Sequence, residues 1–120
     1  MNVTYDPKAD AMYINMTIKT QQAIEEIVRE VVTKYQPEKI ILFGSAARGE
    51  MTPDSDLDFF IIKRDVPHRG IDRHYDLVKR IHYCFASDFL ICTPREVETR
   101  VALGDPFVTQ ILAEGKVLYG

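Results

Sequence analysis

The sequence is short of cysteine, of net positive charge and of long apolar runs, and each shortage removes a class of function. Its 120 residues hold two cysteines, Cys84 and Cys92, in apolar surroundings and without CxxC spacing. That spacing argues against a zinc site or a disulfide framework and predicts two reduced, buried thiols. The formal charge of -3 gives no broad cationic surface of the kind that neutralises a polyanion's phosphates. Nucleic acid is disfavoured, and a small nucleotide or a protein is the better partner. The apolar runs, such as Phe59-Phe60-Ile61-Ile62 and Phe89-Leu90-Ile91-Cys92, fall far below the ~18 residues of a membrane span. No basic segment followed by an apolar stretch opens the chain, so a cytoplasmic protein is expected. His68, His74 and His82 are scattered over a loop and a helix without metal-ligand spacing, although His74 and His82, eight apart on one predicted helix, share a face.

What is present reads as one domain with a single moderate core, since 46% of the residues are hydrophobic. The imperfect alternation Met12-Tyr13-Ile14-Asn15-Met16-Thr17-Ile18 after the Asp6-Pro7 turn predicts a strand or hairpin over Met1 to Ile18. Residues 1–20 are thus a lead, and residues 21–120 the domain proper. From Gln21, apolar residues at Ile24, Ile27, Val28, Val31, Val32 and Tyr35 recur at helical spacing until Pro37. Lys39 to Phe43 and Asp56 to Lys63 carry continuous apolar runs, as central strands covered on both faces do. Between them, a tight turn and short helix span Gly44 to Glu50. A helix over Gly70 to Phe85 follows, then a strand Ser87 to Cys92, a helix from Pro94 to about Leu103 with Thr93 as its N-cap, a helix Phe107 to Glu114 ended by Gly115, and a last strand Lys116 to Tyr119.

The chemistry concentrates in Gly44-Ser45 and, ten residues on, Asp56-Leu57-Asp58. A Gly-Ser turn between strand and helix exposes backbone N–H groups at the positive end of a helix dipole, glycine lets a phosphate approach the backbone, and Ser45 adds a hydroxyl. Arg48, one helical turn later, offers a forked donor to the same phosphates. Alternate strand residues share a face, which puts Asp56 and Asp58 about 6.6 Å apart along the chain. Carboxylates that open a buried strand cost free energy unless a cation or hydrogen bonds compensate. Asp88 opens the apolar run Phe89 to Cys92 in the same way, and arrives at the same end if that strand lies beside the one headed by Asp56. Two carboxylates hold magnesium against a triphosphate, and a third completes the two-metal arrangement for in-line displacement.

The string Leu42-Phe43-Gly44-Ser45-Ala46-Ala47-Arg48-Gly49-Glu50 followed by Ser55-Asp56-Leu57-Asp58 resembles the polymerase beta-like nucleotidyltransferase superfamily, and the small size is similar to its minimal nucleotidyltransferase branch. The resemblance covers roughly Gln22 to Tyr119. It implies an α+β (α/β) fold, a central mixed sheet flanked by helices, with ATP as donor, an NMP unit passed to a hydroxyl, and pyrophosphate released. By position, Gly44, Ser45 and Arg48 would hold the nucleotide, Asp56 and Asp58 would ligate two Mg2+ ions, and Asp88 would be the third ligand and would activate the acceptor hydroxyl. Minimal members of the branch are often antitoxins of HEPN/MNT pairs that adenylylate a tyrosine of a helical HEPN ribonuclease. The lead of about twenty residues is a departure from that pattern.

Two further readings stand beside this one. The chain acts as a non-catalytic antitoxin that masks its partner, or it transfers nucleotides to a small molecule or RNA. Against the last stand the acidic charge balance and the expectation that a chain ending at Gly120 leaves no room for an acceptor-binding domain.

Overall fold

The computed structural model describes residues 7–120, with side chains from Ile18 onward. The first element, α1 (Pro7–Tyr35), is a single helix of 29 residues. The strand or hairpin expected over Met1 to Ile18 is therefore not found from Pro7 on, and residues 1–6 lie outside the described residues. The physical reason is cooperativity. Once the amphipathic stretch after Gln21 nucleates a helix, each preceding residue adds a hydrogen bond at little cost, and Pro7 fits a first turn whose N–H has no intrahelical partner. At the other end Gln36 takes a left-handed φ of 56°, its N–H returns to the Val31 carbonyl, and Pro37 prevents continuation.

The chain then forms β1 (Lys39–Phe43), α2 (Gly44–Arg48), β2 (Leu57–Ile62), α3 (Gly70–Val78), β3 (Ser87–Cys92), α4 (Pro94–Ala102), α5 (Pro106–Glu114) and β4 (Lys116–Tyr119). The four strands make one mixed sheet in the order β3-β2-β1-β4. β1 runs antiparallel to both β2 and β4, while β2 and β3 are parallel and joined through α3. This is the mixed sheet with flanking helices that the resemblance implies.

The continuous apolar strands are explained by two packed faces. On one, Ile40, Leu42, Leu57, Phe59, Ile61, Phe89 and Ile91 meet Ile27, Val31 and Tyr35 of α1 and Leu77 of α3. On the other, Ile41, Phe60 and Cys92 meet Ile111 of α5, with Phe43, Ile62, Leu90 and Val97 packed around them. Phe59 and Phe60 are neighbours in sequence, point to opposite faces and are both fully buried. Each such side chain contributes roughly 1.5–3 kcal/mol by leaving water.

Caps fix the helices that follow. Thr93 and Glu96 form a reciprocal capping box at α4, and the Asp105 carboxylate accepts from the Phe107 and Val108 N–H groups at α5. Arg73 of α3 is buried and donates to the Ile91 carbonyl of β3, to the Pro67 and His68 carbonyls, and to both oxygens of Glu96. One guanidinium thus ties α3, the edge of the sheet and α4 together.

Two smaller expectations are corrected. The helix expected over Gly70 to Phe85 stops at Val78, because the His82 N–H is given to the Glu30 carboxylate of α1 at 2.8 Å and the chain leaves the helical path. His82 consequently lies outside α3. Both cysteines are free, but Cys84 sits in the loop so created and is exposed, while Cys92 is buried as expected.

Candidate active site

The strand register assembles the acids. In the antiparallel pair Asp58 faces Phe43, the residue before Gly44, and in the parallel pair Asp58 lies beside Asp88. Asp56 immediately precedes β2 and has the same parity as Asp58. Asp58 and Asp88, separated by thirty residues of sequence, are therefore neighbours at one end of the sheet, on the α5 face, next to the Gly44-Ser45 turn.

The turn and the acid are in direct contact. Gly44 has φ +71°, and a Cβ built on it would overlap Oδ2 of Asp58 and lie 3.2 Å from its Cγ. Glycine is required here twice over, by the left-handed backbone and by the carboxylate that fills the space of a side chain. Gly44→Ala is expected to lower nucleotidyl transfer by about 100-fold, the usual effect of an ångström-scale misplacement of a reacting group. Steady-state rates beside circular dichroism would check it, since a folded variant of unchanged rate contradicts the contact's importance.

Asp58 is half-buried, and its carboxyl is held above the ordinary value, first by that burial, then by the charges of Asp88 and Asp56, with Arg48 opposing. Like charges gathered at a partly dry site disfavour ionisation, so the three acids form one electrostatic unit centred on Asp58. Among the described residues none of the three takes part in a salt bridge. Arg48, expected on the phosphates, is exposed and paired with Glu50 at 2.9 Å. Ser45 accepts the Glu50 N–H on its carbonyl, and the first turn of α2 carries no side-chain cap.

Among the described residues no three His, Cys, Asp or Glu side chains are grouped closely enough to hold a metal ion together. The donor chemistry nevertheless suits a hard divalent cation. The donors are carboxylate oxygens alone, they repel one another, and the middle one is seated against a glycine that leaves no competing side chain.

A concavity of about 160 Å3 opens beside the same turn, bounded by Phe43, Gly44 and Arg48 on one side and by Phe107, Gln110 and Glu114 of α5 on the other. Sequence reasoning did not reach these α5 residues. The Asp105-Pro106 cap announces the helix, but nothing in the local pattern says that its first two turns would flank Gly44.

The chain matches the nucleotidyltransferase domain over residues 24–114. It belongs to that family. Nucleotidyltransferases provisionally named protein adenylyltransferases in Methanocaldococcus jannaschii are similar to it. One is 34% identical over 101 residues, spanning 82% of this chain and 97% of the relative. Another is 30% identical over 103 residues, spanning 80% and 69%. The crystal structure of a provisionally assigned nucleotidyltransferase from Sulfolobus solfataricus superposes with a TM-score of 0.55 at 26% identity, covering 72% of this chain and 78% of that one. The protein is accordingly a nucleotidyltransferase in fold and in reaction class. Among the described residues, no helix is long and apolar enough to cross a membrane.

Proposed function

We propose that this nucleotidyltransferase moves AMP from ATP to a tyrosine hydroxyl of a helical HEPN-type toxin and acts as its antitoxin in the cytoplasm. The observation that carries the reading is the register of Asp58 beside Asp88, with the Asp58 carboxylate against Gly44. The names of the archaeal relatives support a protein acceptor.

Asp56, Asp58 and Asp88 would hold Mg2+, which supplies charge neutralisation for the triphosphate and lowers the pKa of an attacking hydroxyl. Gly44 and Ser45 would receive the phosphates on backbone N–H groups and a hydroxyl, with Arg48 leaving Glu50 to reach them. The acceptor oxygen bonds to the α-phosphorus, the bond from that phosphorus to the bridging oxygen breaks, and pyrophosphate departs. Asp88, the more exposed of the two paired acids, takes the hydroxyl proton.

The test is intact-mass analysis of a HEPN partner co-expressed with this chain, where one or more AMP additions are expected. No addition with the wild-type chain, together with no label transferred from ATP, would sink the proposal. A competing reading is neutralisation by masking alone, in which none of the acids takes part. The double variant Asp56→Ala, Asp58→Ala separates them, because masking survives it and catalysis does not.

A further inference from the structure

One flank of α1 is apolar and stays half-open to solvent. Ile24, Val28 and Val32 follow one another at helical-turn spacing, and with Leu118 of β4 they wall a groove that runs along the β4 edge of the sheet. All four are only partly buried. Ile18, 47% exposed, stands about four turns before Val32 and carries the stripe toward the start of the helix.

Glu25 and Arg29, both exposed, border the same groove one helical turn apart. Their spacing is the one that joins Glu30 to Lys34 at 2.9 Å on the same helix, yet among the described residues neither Glu25 nor Arg29 enters a salt bridge. The rim of the groove therefore offers one charge of each sign.

These features are complementary to themselves. When a second α1 lies antiparallel beside the first, about a two-fold axis level with Ile27, Glu25 of each copy comes level with Arg29 of the other. Two unlike pairs form at once, and like charges stay a turn apart. In the same arrangement Ile24 of one copy falls midway between Val28 and Val32 of the second copy, so the two stripes interdigitate as helix ridges do in grooves. A two-fold contact must use one patch on both subunits, and this patch meets that demand.

We infer that the chain forms a two-fold dimer through antiparallel α1 helices, with Ile24, Val28 and Val32 at its centre and Glu25 paired with Arg29 at its rim. This goes beyond the transfer reading and does not depend on it. β3, which carries Asp88, is the opposite edge of the sheet from β4, so the dimer leaves the acids open. One helix flank and a strand end supply fewer residues than the roughly 20–30 a side of a standard interface, which makes the dimer weak, dissociating on the order of 10 µM.

Sedimentation of the full chain, from below that concentration to well above it, is the experiment. The mean mass should rise from 13.8 kDa to twice that value. Arg29→Glu sets glutamates against glutamates, and Glu25→Arg sets arginines against arginines, so each variant alone should dimerise at least about tenfold more weakly. Circular dichroism should not change, because both positions are exposed. An equimolar mixture of the two variants restores unlike pairs on both sides of the axis and should dimerise at least as well as the wild type. A wild type that stays monomeric, single variants that dimerise undiminished, or a mixture no heavier than its components overturns the inference.

Discussion

Asp58→Asn is expected to reduce nucleotidyl transfer by at least about 1,000-fold and, at the same time, to raise the melting temperature of the free protein. The first effect follows from its place. Asp58 touches Gly44 and lies beside Asp88, and on the proposed reading its removal takes away a carboxylate that would hold Mg2+ against the triphosphate. The second follows from its elevated carboxyl pKa, which arises from burial and from Asp88 and Asp56. A carboxyl that holds its proton more tightly in the folded state than in the unfolded one makes the fold less stable as pH rises from the ordinary 3.8 through the raised value. Above the raised value that cost is fully present, and a neutral isostere removes it. Radiolabel transfer from ATP and thermal unfolding at pH 7 read the two effects separately. A variant that loses activity and also melts earlier would show Asp58 to be structural, contrary to the charge argument.

Arg73→Ala is the substitution expected to damage the fold most. It deletes a buried guanidinium that serves three backbone carbonyls and both oxygens of Glu96. Leaving such acceptors without a donor costs about 2–4 kcal/mol, toward the lower end of the range for a broken buried pair because the Glu96 side chain is 42% exposed and rehydrates. For a domain of this size that lowers Tm on the order of 10 °C. The same pair has a pH signature. The Arg73 hydrogen bond, aided by the Thr93 N–H, pulls the Glu96 carboxyl down from 4.5 to about 2. Its contribution is fully present above pH 4.5 and is lost as pH falls toward 2. Denaturant titrations of wild type and variant should therefore converge between pH 4.5 and 2. Curves that stay parallel through that window would show the ion pair to be incidental.

The legible and illegible parts of this protein divide by the range of the interactions that specify them. β1, β2, β3, the caps at Thr93 and Asp105, and the turn at Gly44 are announced by local patterns that the tertiary structure has no reason to override. The strand or hairpin expected over Met1 to Ile18 is, from Pro7 on, part of α1, because a neighbouring helix propagated through a weakly alternating stretch. α3 ends early because one backbone N–H finds Glu30, a residue 52 positions away, and no window of sequence carries that fact. The site shows the same division. Gly44, Ser45, Asp56 and Asp58 are spaced by one hairpin and can be read from it. Asp88 could be placed only by assuming the strand order, which the parallel register of β2 and β3 provides. The α5 wall, Phe107, Gln110 and Glu114, has no local mark at all, and only the packing of Ile111 onto Ile41 and Phe60 brings it over Gly44.

The junction of β2 with β3 has a kinetic side. The β1–β2 antiparallel pair, closed over the segment that holds α2, already contains the turn and two of the acids, and its strands lie nearer in sequence than β2 and β3 do. Asp88 joins them only after the chain has run through α3 and a loop and docked a parallel strand, a slower step because its ends must meet across a longer span. An unfinished chain therefore carries an incomplete set of carboxylates. On the proposed reading, competence for transfer arrives with β3, after the β1–β2 pair has formed.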